Sequence, residues 1–267
     1  MPCCLPSWSL FVIAGIFGAI LGSFANVCIV RMPKGESVIW PPSHCPQCKK
    51  RLRSWHNIPI LSFLMLKGRC SFCSSKISAI YPFVEMICII LSVITWWYFR
   101  NPLEYFVYFL LFIMPLVIIS FIDLRHMIIP DIISIPGIII GIVVHTLFLI
   151  DGTYFISALN SIGGALLGGG ILFIVAYTYE KLKKREGLGG GDVKLIAMLG
   201  AFLGFKAVLF VLLLSSILGS IIGIIMMIIL RKDSKYAIPY GPFIALAGIV
   251  YLFFGEEFIR WYLSLFV

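Results

Sequence analysis

Six residues stand out as able to do chemistry in a chain that is otherwise mostly apolar. Asp123 closes an apolar stretch in Phe121-Ile122-Asp123-Leu124-Arg125, and Asp192 opens another in Gly189-Gly190-Gly191-Asp192-Val193-Lys194. Two carboxylates sharing a partly dry site do not both ionise easily. One then serves as a proton donor while the other acts as a base and polarises water. The glycines before Asp192 would let an extended substrate approach the backbone. A helix beginning there would also turn the positive end of its dipole toward the carboxyl. Simpler roles exist for both residues: Asp123 could pair with Arg125, and Asp192 could cap a helix.

The other four are thiols. Cys45-Pro46-Gln47-Cys48 and Cys70-Ser71-Phe72-Cys73 are two CxxC pairs separated by 21 residues. Paired knuckles at this spacing read as a structural zinc ribbon, with four soft sulfur ligands closing a tetrahedron around Zn2+. Two disulfides are the rival arrangement, and a reducing cytoplasm would disfavour them. His44 and His56 lie nearby, but four thiolates already complete a structural site. Cys28 and Cys88 fall in apolar stretches and read as packing residues. Cys3 and Cys4 lie near the N-terminus, where a disulfide or a lipid is conceivable.

The elements that must position these groups follow from composition. The 267 residues are 61% hydrophobic and 12% charged, and mean hydropathy is +1.05. That excess of apolar residues has no soluble interior to occupy, which excludes a soluble enzyme and a disordered chain. The sequence predicts an all-α polytopic membrane protein of about eight spans. These run from Trp8 to Val30 and over 80–99, 105–122, 132–150, 152–179, 193–205, 207–230 and 236–255. No Lys or Arg precedes Arg31, so the first span reads as permanent rather than as a cleaved signal. With the N-terminus outside, eighteen of the 21 Lys and Arg residues fall on the cytoplasmic side. Only Arg100, Lys206 and Arg260 fall outside. The formal net charge of +9 is therefore an orientation signal that also suits anionic lipid, and it does not imply nucleic acid. The cysteines lie in the cytoplasmic loop between the first two spans. That loop is too small for its own apolar core, and metal binding would supply the missing folding energy. There is no internal repeat, and Gly163, Gly164 and Gly168 to Gly170 suggest close helix packing.

Four further polar residues lie close to this machinery. Asp131 follows Pro130 at the start of an apolar run and reads first as a helix N-cap. Glu85 lies within a span and has no obvious cationic neighbour, which suits a polar pocket. His126 and Lys194 are near enough in sequence to tune the aspartates, or they mark the membrane surface.

In order along the chain come Gly22-Ser23-Phe24-Ala25-Asn26-Val27 with Arg31-Met32-Pro33, the paired CxxC loop and Tyr81-Pro82-Phe83-Val84-Glu85. Asp123 with Pro130-Asp131, Gly189 through Lys194, and Tyr240-Gly241-Pro242-Phe243 follow. Together these resemble the type IV prepilin peptidases, the leader peptidase/N-methyltransferases, over nearly the whole chain. The resemblance implies a bacterial inner-membrane enzyme that cuts basic leaders from type IV prepilins or pseudopilins after a glycine on the cytoplasmic side. It also implies methylation of the new N-terminus with S-adenosylmethionine. The family's catalytic aspartates map onto Asp123 and Asp192. Residues 1–100 would form the part associated with methyl transfer, and 101–267 the peptidase domain. Asn26 and Glu85 are the polar groups suggested for the cofactor half. Gly190 departs from the family pattern, which often places an aromatic there. No nucleotide-binding glycine fingerprint follows a strand, so the cofactor rests on the resemblance alone. Two other classes remain. A proton- or ion-coupled transporter could use the membrane acids, and a scaffold could dock partners through the ribbon. The acids cluster toward one face, and a scaffold leaves the glycine–aspartate loop unexplained.

Overall fold

The computed structural model describes residues 7–148, 152–184, 189–230 and 238–264; Cys3 and Cys4 lie outside them. The described chain is helical, with no named strand and two isolated bridges. Eight main helices follow in order: α1 Ser7–Arg31, α2 Ile80–Phe99, α3 Pro102–His126, α4 Asp131–Leu147, α5 Tyr154–Lys183, α6 Gly190–Leu203, α7 Phe205–Leu230 and α8 Gly241–Ser264. Among the described residues, six of these are long and apolar enough to cross a bilayer. The two exceptions are α4, with 17 residues, and α6, with 14. The count of eight apolar segments is therefore sound as a count of helices, while six meet the length of a full span. Boundaries follow local chemistry. Asn101 caps α3 by accepting from Leu103 N–H at 3.0 Å, with Pro102 next. Gly204, at φ +82°, separates α6 from α7.

The chain divides into two compact units, Met1–Ile118 and Ile119–Val267. In the first, α1 lies against α2 through a stripe of glycines. A Cβ at Gly18 would come within 2.7 Å of Cys88 O, and one at Gly22 within 2.9 Å of Glu85 Cα. Without a hydrophobic effect between helices in lipid, such close backbone contact supplies the dispersion energy of association. Ser92 reinforces it by donating to Ala14 O at 2.6 Å and meeting Tyr105 OH at 2.7 Å. Phe17, Tyr105, Phe106 and Phe109 fill the space beside that hydroxyl. Cys28 and Cys88 are buried there, as packing residues should be.

The second unit is organised around α6. Its residues Leu195, Ile196, Met198, Leu199, Ala201 and Phe202 are all buried. Neighbouring helices reach it through glycine. Gly137 and Gly141 of α4 face Met198 and Phe202, while Gly164 and Gly200 put the backbones of α5 and α6 in direct contact. The close-packing reading of the α5 glycines holds for Gly164, Gly168 and Gly169. Gly163 and Gly170 face open space. Ser161 donates to Ala201 O at 2.6 Å, and His145 Nδ1 lies 3.0 Å from Phe202 O. A short helix is thus buried by its neighbours, while α7 leaves Leu213, Ile228 and Ile229 exposed, as a lipid-facing helix does.

Candidate functional site

The aspartates are brought together by two turns and two glycines. α3 ends when Met127, at φ +54°, donates its N–H to Asp123 O at 2.9 Å. Pro130 then prevents helix from resuming until α4, and Ile129 is left buried between the two. Asp123 itself is buried, and its Oδ2 accepts the N–H of Gly241, at the start of α8, at 2.9 Å. Only glycine fits there, because a Cβ would fall 2.8 Å from Asp123 Oδ2 and 3.3 Å from Ile129 Cδ1. On the other side of Ile129 stands Gly191, whose Cβ would meet Ile129 Cβ at 2.8 Å. Asp192 follows immediately, within electrostatic reach of Asp123. One isoleucine wedge thus holds the N-termini of α6 and α8 beside the end of α3.

The simpler roles fare unevenly. Arg125 is exposed while Asp123 is buried, and the partner seen for Asp123 is Gly241. Gly189 is the N-cap of α6, so Asp192 occupies the third helical position. Its carboxyl still helps cap the helix, because it accepts from the Gly189 N–H as the acidic member of a capping box does. Asp131 is not the cap of α4, which is Pro130 without a side-chain bond. Instead Asp131 takes a bidentate ion pair from Lys194 Nζ at 2.7 and 2.8 Å. Proline cannot continue the preceding helix and itself supplies the extended cap geometry, which frees the acid for lysine. At Gly190 nothing lies within 4 Å of a Cβ, so a side chain has room to begin there.

The cysteine loop is built differently. Cys45, Cys48, Cys70 and Cys73 place their sulfurs within 4.8 Å of one another, and Cys45 Sγ to Cys73 Sγ is 3.9 Å. A tetrahedron of ~2.3 Å Zn–S bonds needs sulfurs ~3.8 Å apart, whereas a disulfide needs ~2.05 Å. The thiols are free, and the set fits Zn2+. Each knuckle has the same backbone. Cys45 N–H donates to Lys50 O and Lys49 N–H to Cys45 O, just as Cys70 donates to Ser75 O and Ser74 to Cys70 O. Leu52 to Ser43 and Ile77 to Gly68 complete the match, and Lys49 and Ser74 both take positive φ. The duplication lies in backbone hydrogen bonds, while the side chains beyond the cysteines differ. Burial pulls the Cys45 thiol up, but N–H groups of Cys48 and Gln47 and the neighbouring thiols outweigh it and bring it down to about 6. Hydrogen bonds from Ser75 likewise lower Cys73. His44 and His56 are outside the sulfur cluster, with His56 packed on Trp55 and Phe72.

Asn26 and Glu85 are both buried and line one cavity of about 450 Å³ beside the knuckles. Asn26 Nδ2 donates to Tyr81 O at 3.0 Å, and Glu85 Oε2 accepts the Ile60 N–H at 2.7 Å. Sequence reasoning missed the roles of Ile129, Gly241 and Ile60. The Gly241-Pro242 pair was the one visible signal, a free N–H followed by a residue without one.

Known proteins can now be set beside this geometry. Residues 16–99 match the Bacterial Peptidase A24 N-terminal domain, and 110–224 match the Type IV leader peptidase family. A prepilin leader peptidase/N-methyltransferase of Legionella pneumophila is 33% identical over 96% of this chain and 96% of its own. One from Aeromonas hydrophila is 35% identical over 97% and 96%, and one from Pseudomonas aeruginosa 34% over 93% and 92%. No solved structure is significantly similar. With both domains matched and relatives aligned end to end, the chain belongs to the type IV leader peptidase family.

Proposed function

We propose that this protein removes the basic leader from type IV prepilins or pseudopilins and N-methylates the residue exposed, as the names of its relatives describe for them. The observation that carries the reading is the meeting of Asp123 and Asp192 around Ile129, within the stretch that matches the peptidase family. One aspartate acts as the base that takes a proton from water as its oxygen attacks the glycyl carbonyl. The other donates a proton to the departing amine, and the pair exchanges these roles by a net proton transfer. Gly241 N–H fixes the Asp123 carboxyl, and Gly189 N–H fixes that of Asp192, so both are oriented before substrate arrives. A transporter that uses these acids finds no support among the relatives.

Cys45, Cys48, Cys70 and Cys73 hold Zn2+, which clamps the loop and takes no part in the chemistry. S-adenosylmethionine supplies the methyl group. The protein is a multi-pass protein of the bacterial inner membrane, with the N-terminus outside and the cysteine loop and aspartates facing the cytoplasm. Residues 1–100 serve methyl transfer and 101–267 proteolysis. No nucleic acid is involved. Purified protein in liposomes, given a prepilin and S-adenosylmethionine, should shorten the precursor by its leader and add one methyl mass. An unchanged precursor mass across several prepilins would refute the reading. Labelling of engineered single cysteines in cells tests the orientation: thiol reagents that do not cross the membrane should leave the loop unmodified.

A further inference from the structure

The 450 Å³ cavity of the first unit has the size of a small-molecule site, and its walls are not those of a packing defect. It lies between the C-terminal end of α1, the N-terminal end of α2 and both knuckles, with Cys45 and Cys70 in its wall. Arg31, Lys34 and Glu36 line one part, Val27 and Tyr81 another, and Glu85 is buried in its wall. A buried carboxylate of this kind is costly unless it has partners. Ile60 N–H supplies one and the Ser23 side chain another. The Ile60 contact comes with strain. A β-branched residue stands at φ +60° and ψ −50°, in a tight turn closed by Leu61 N–H to Pro59 O at 2.5 Å. Strain of this kind persists where surrounding structure enforces it and marks functional sites. It aims a backbone donor at Glu85 while the carboxylate retains acceptor capacity for a cation.

We propose that this cavity is the methyl-transfer site and that Glu85 binds the α-ammonium of the newly exposed N-terminus and accepts its proton. The proposal rests on the methyltransferase half of the function above. The donor set fits S-adenosylmethionine: Arg31 and Lys34 suit its carboxylate, Glu36 its ammonium, and the Val27 and Tyr81 wall its adenosyl group. In the transfer, the Glu85 carboxylate takes one proton from the substrate ammonium. The freed nitrogen lone pair forms the N–CH3 bond as the S–CH3 bond breaks, and that electron pair stays on sulfur. Glu85 becomes a neutral acid, and the sulfonium becomes a thioether. No further reactant is needed. His56, just before the Ile60 turn, packs on Phe72 of the second knuckle.

Two readings test this, neither dependent on methylation alone. Wild-type protein irradiated with an azido-adenosyl analogue of S-adenosylmethionine should carry label within 23–36 or 77–85, and excess S-adenosylhomocysteine should abolish it. Competed label confined to 119–264 would overturn the assignment even if no variant folds. Glu85→Gln should bind S-adenosylhomocysteine by calorimetry with near wild-type affinity and still cleave prepilin, while methyl transfer falls by about 100-fold or more. Glu85→Asp should recover part of that loss. Wild-type methylation in Glu85→Gln would refute the role of Glu85. Failure of wild type to bind the cofactor or methylate would instead refute the parent function, so the two failures are distinguishable.

Discussion

The two functional regions solve the same problem, holding a few reactive groups in register, by opposite means. The thiols lie within 29 residues of sequence, from Cys45 to Cys73, and short backbone hydrogen bonds arrange each pair. The aspartates stand 69 positions apart and have no local device that joins them. They meet because α6 is buried among glycine-bearing neighbours, and because Ile129 has glycine on both sides. A chelate is robust to what lies around it and depends on its ion. A packed carboxylate pair is independent of any ion and sensitive to a single added methyl group.

That contrast can be broken most forcefully at the carboxylates. Asp123→Asn or Asp192→Asn would remove the proposed acid–base function and should lower cleavage by about 1,000-fold or more, measured as product per unit time. Zinc content should be unchanged. Gly241→Ala comes next. Its Cβ would stand 2.8 Å from Asp123 Oδ2, so the carboxyl must turn away, and a misplacement of this order costs about 100-fold. An alanine variant with full activity would show that the Gly241 contact does not position Asp123.

The cysteine loop should respond the other way. Cys45→Ser should release zinc and make residues 36–79 protease-sensitive, while cleavage of prepilin stays within about threefold of wild type, because zinc at this site would supply folding energy only to the loop. Acid should mimic it. A thiol held at about 6 is a thiolate above that pH and a competitor for protons below it. Protons must displace the metal from four thiolates, so zinc bound at neutral pH should be lost only as the pH falls below about 6, as a metal assay after dialysis will show. The smallest effect is expected at Lys194→Ala. Its ion pair with Asp131 is 39% and 57% exposed at the two side chains, and such pairs contribute about 0–1 kcal/mol. Cleavage and melting temperature should barely move.

The same contrast explains what could be read from sequence. Ligand spacing is a local property, so the thiol set was visible as four letters and a gap. Helix count was legible from apolar runs, because each run must bury or face lipid wherever it packs. The meeting of Asp123 and Asp192 was legible only as chemistry, two acids of suitable kind. The geometry that joins them depends on Ile129, whose side-chain type announces nothing, and on Gly241, signalled only by the proline that follows it. Asp131 illustrates the cost of local reasoning. After a proline and before an apolar run it reads as a cap, yet its partner, Lys194, comes from 63 positions away. Ile60 could not have been anticipated, because nothing in the Ile58-Pro59-Ile60-Leu61 stretch signals a positive φ.

The central claim is that proteolysis resides in the aspartate pair and is separable from the cysteine loop. The most direct test is the intact mass of one prepilin after incubation with S-adenosylmethionine and wild type, Asp192→Asn or Cys45→Ser, each checked for zinc. The account predicts a cut and methylated product for wild type, uncut precursor for zinc-loaded Asp192→Asn, and cut product lacking the methyl mass for zinc-free Cys45→Ser. Cut product from Asp192→Asn, or uncut precursor with folded Cys45→Ser, would contradict it.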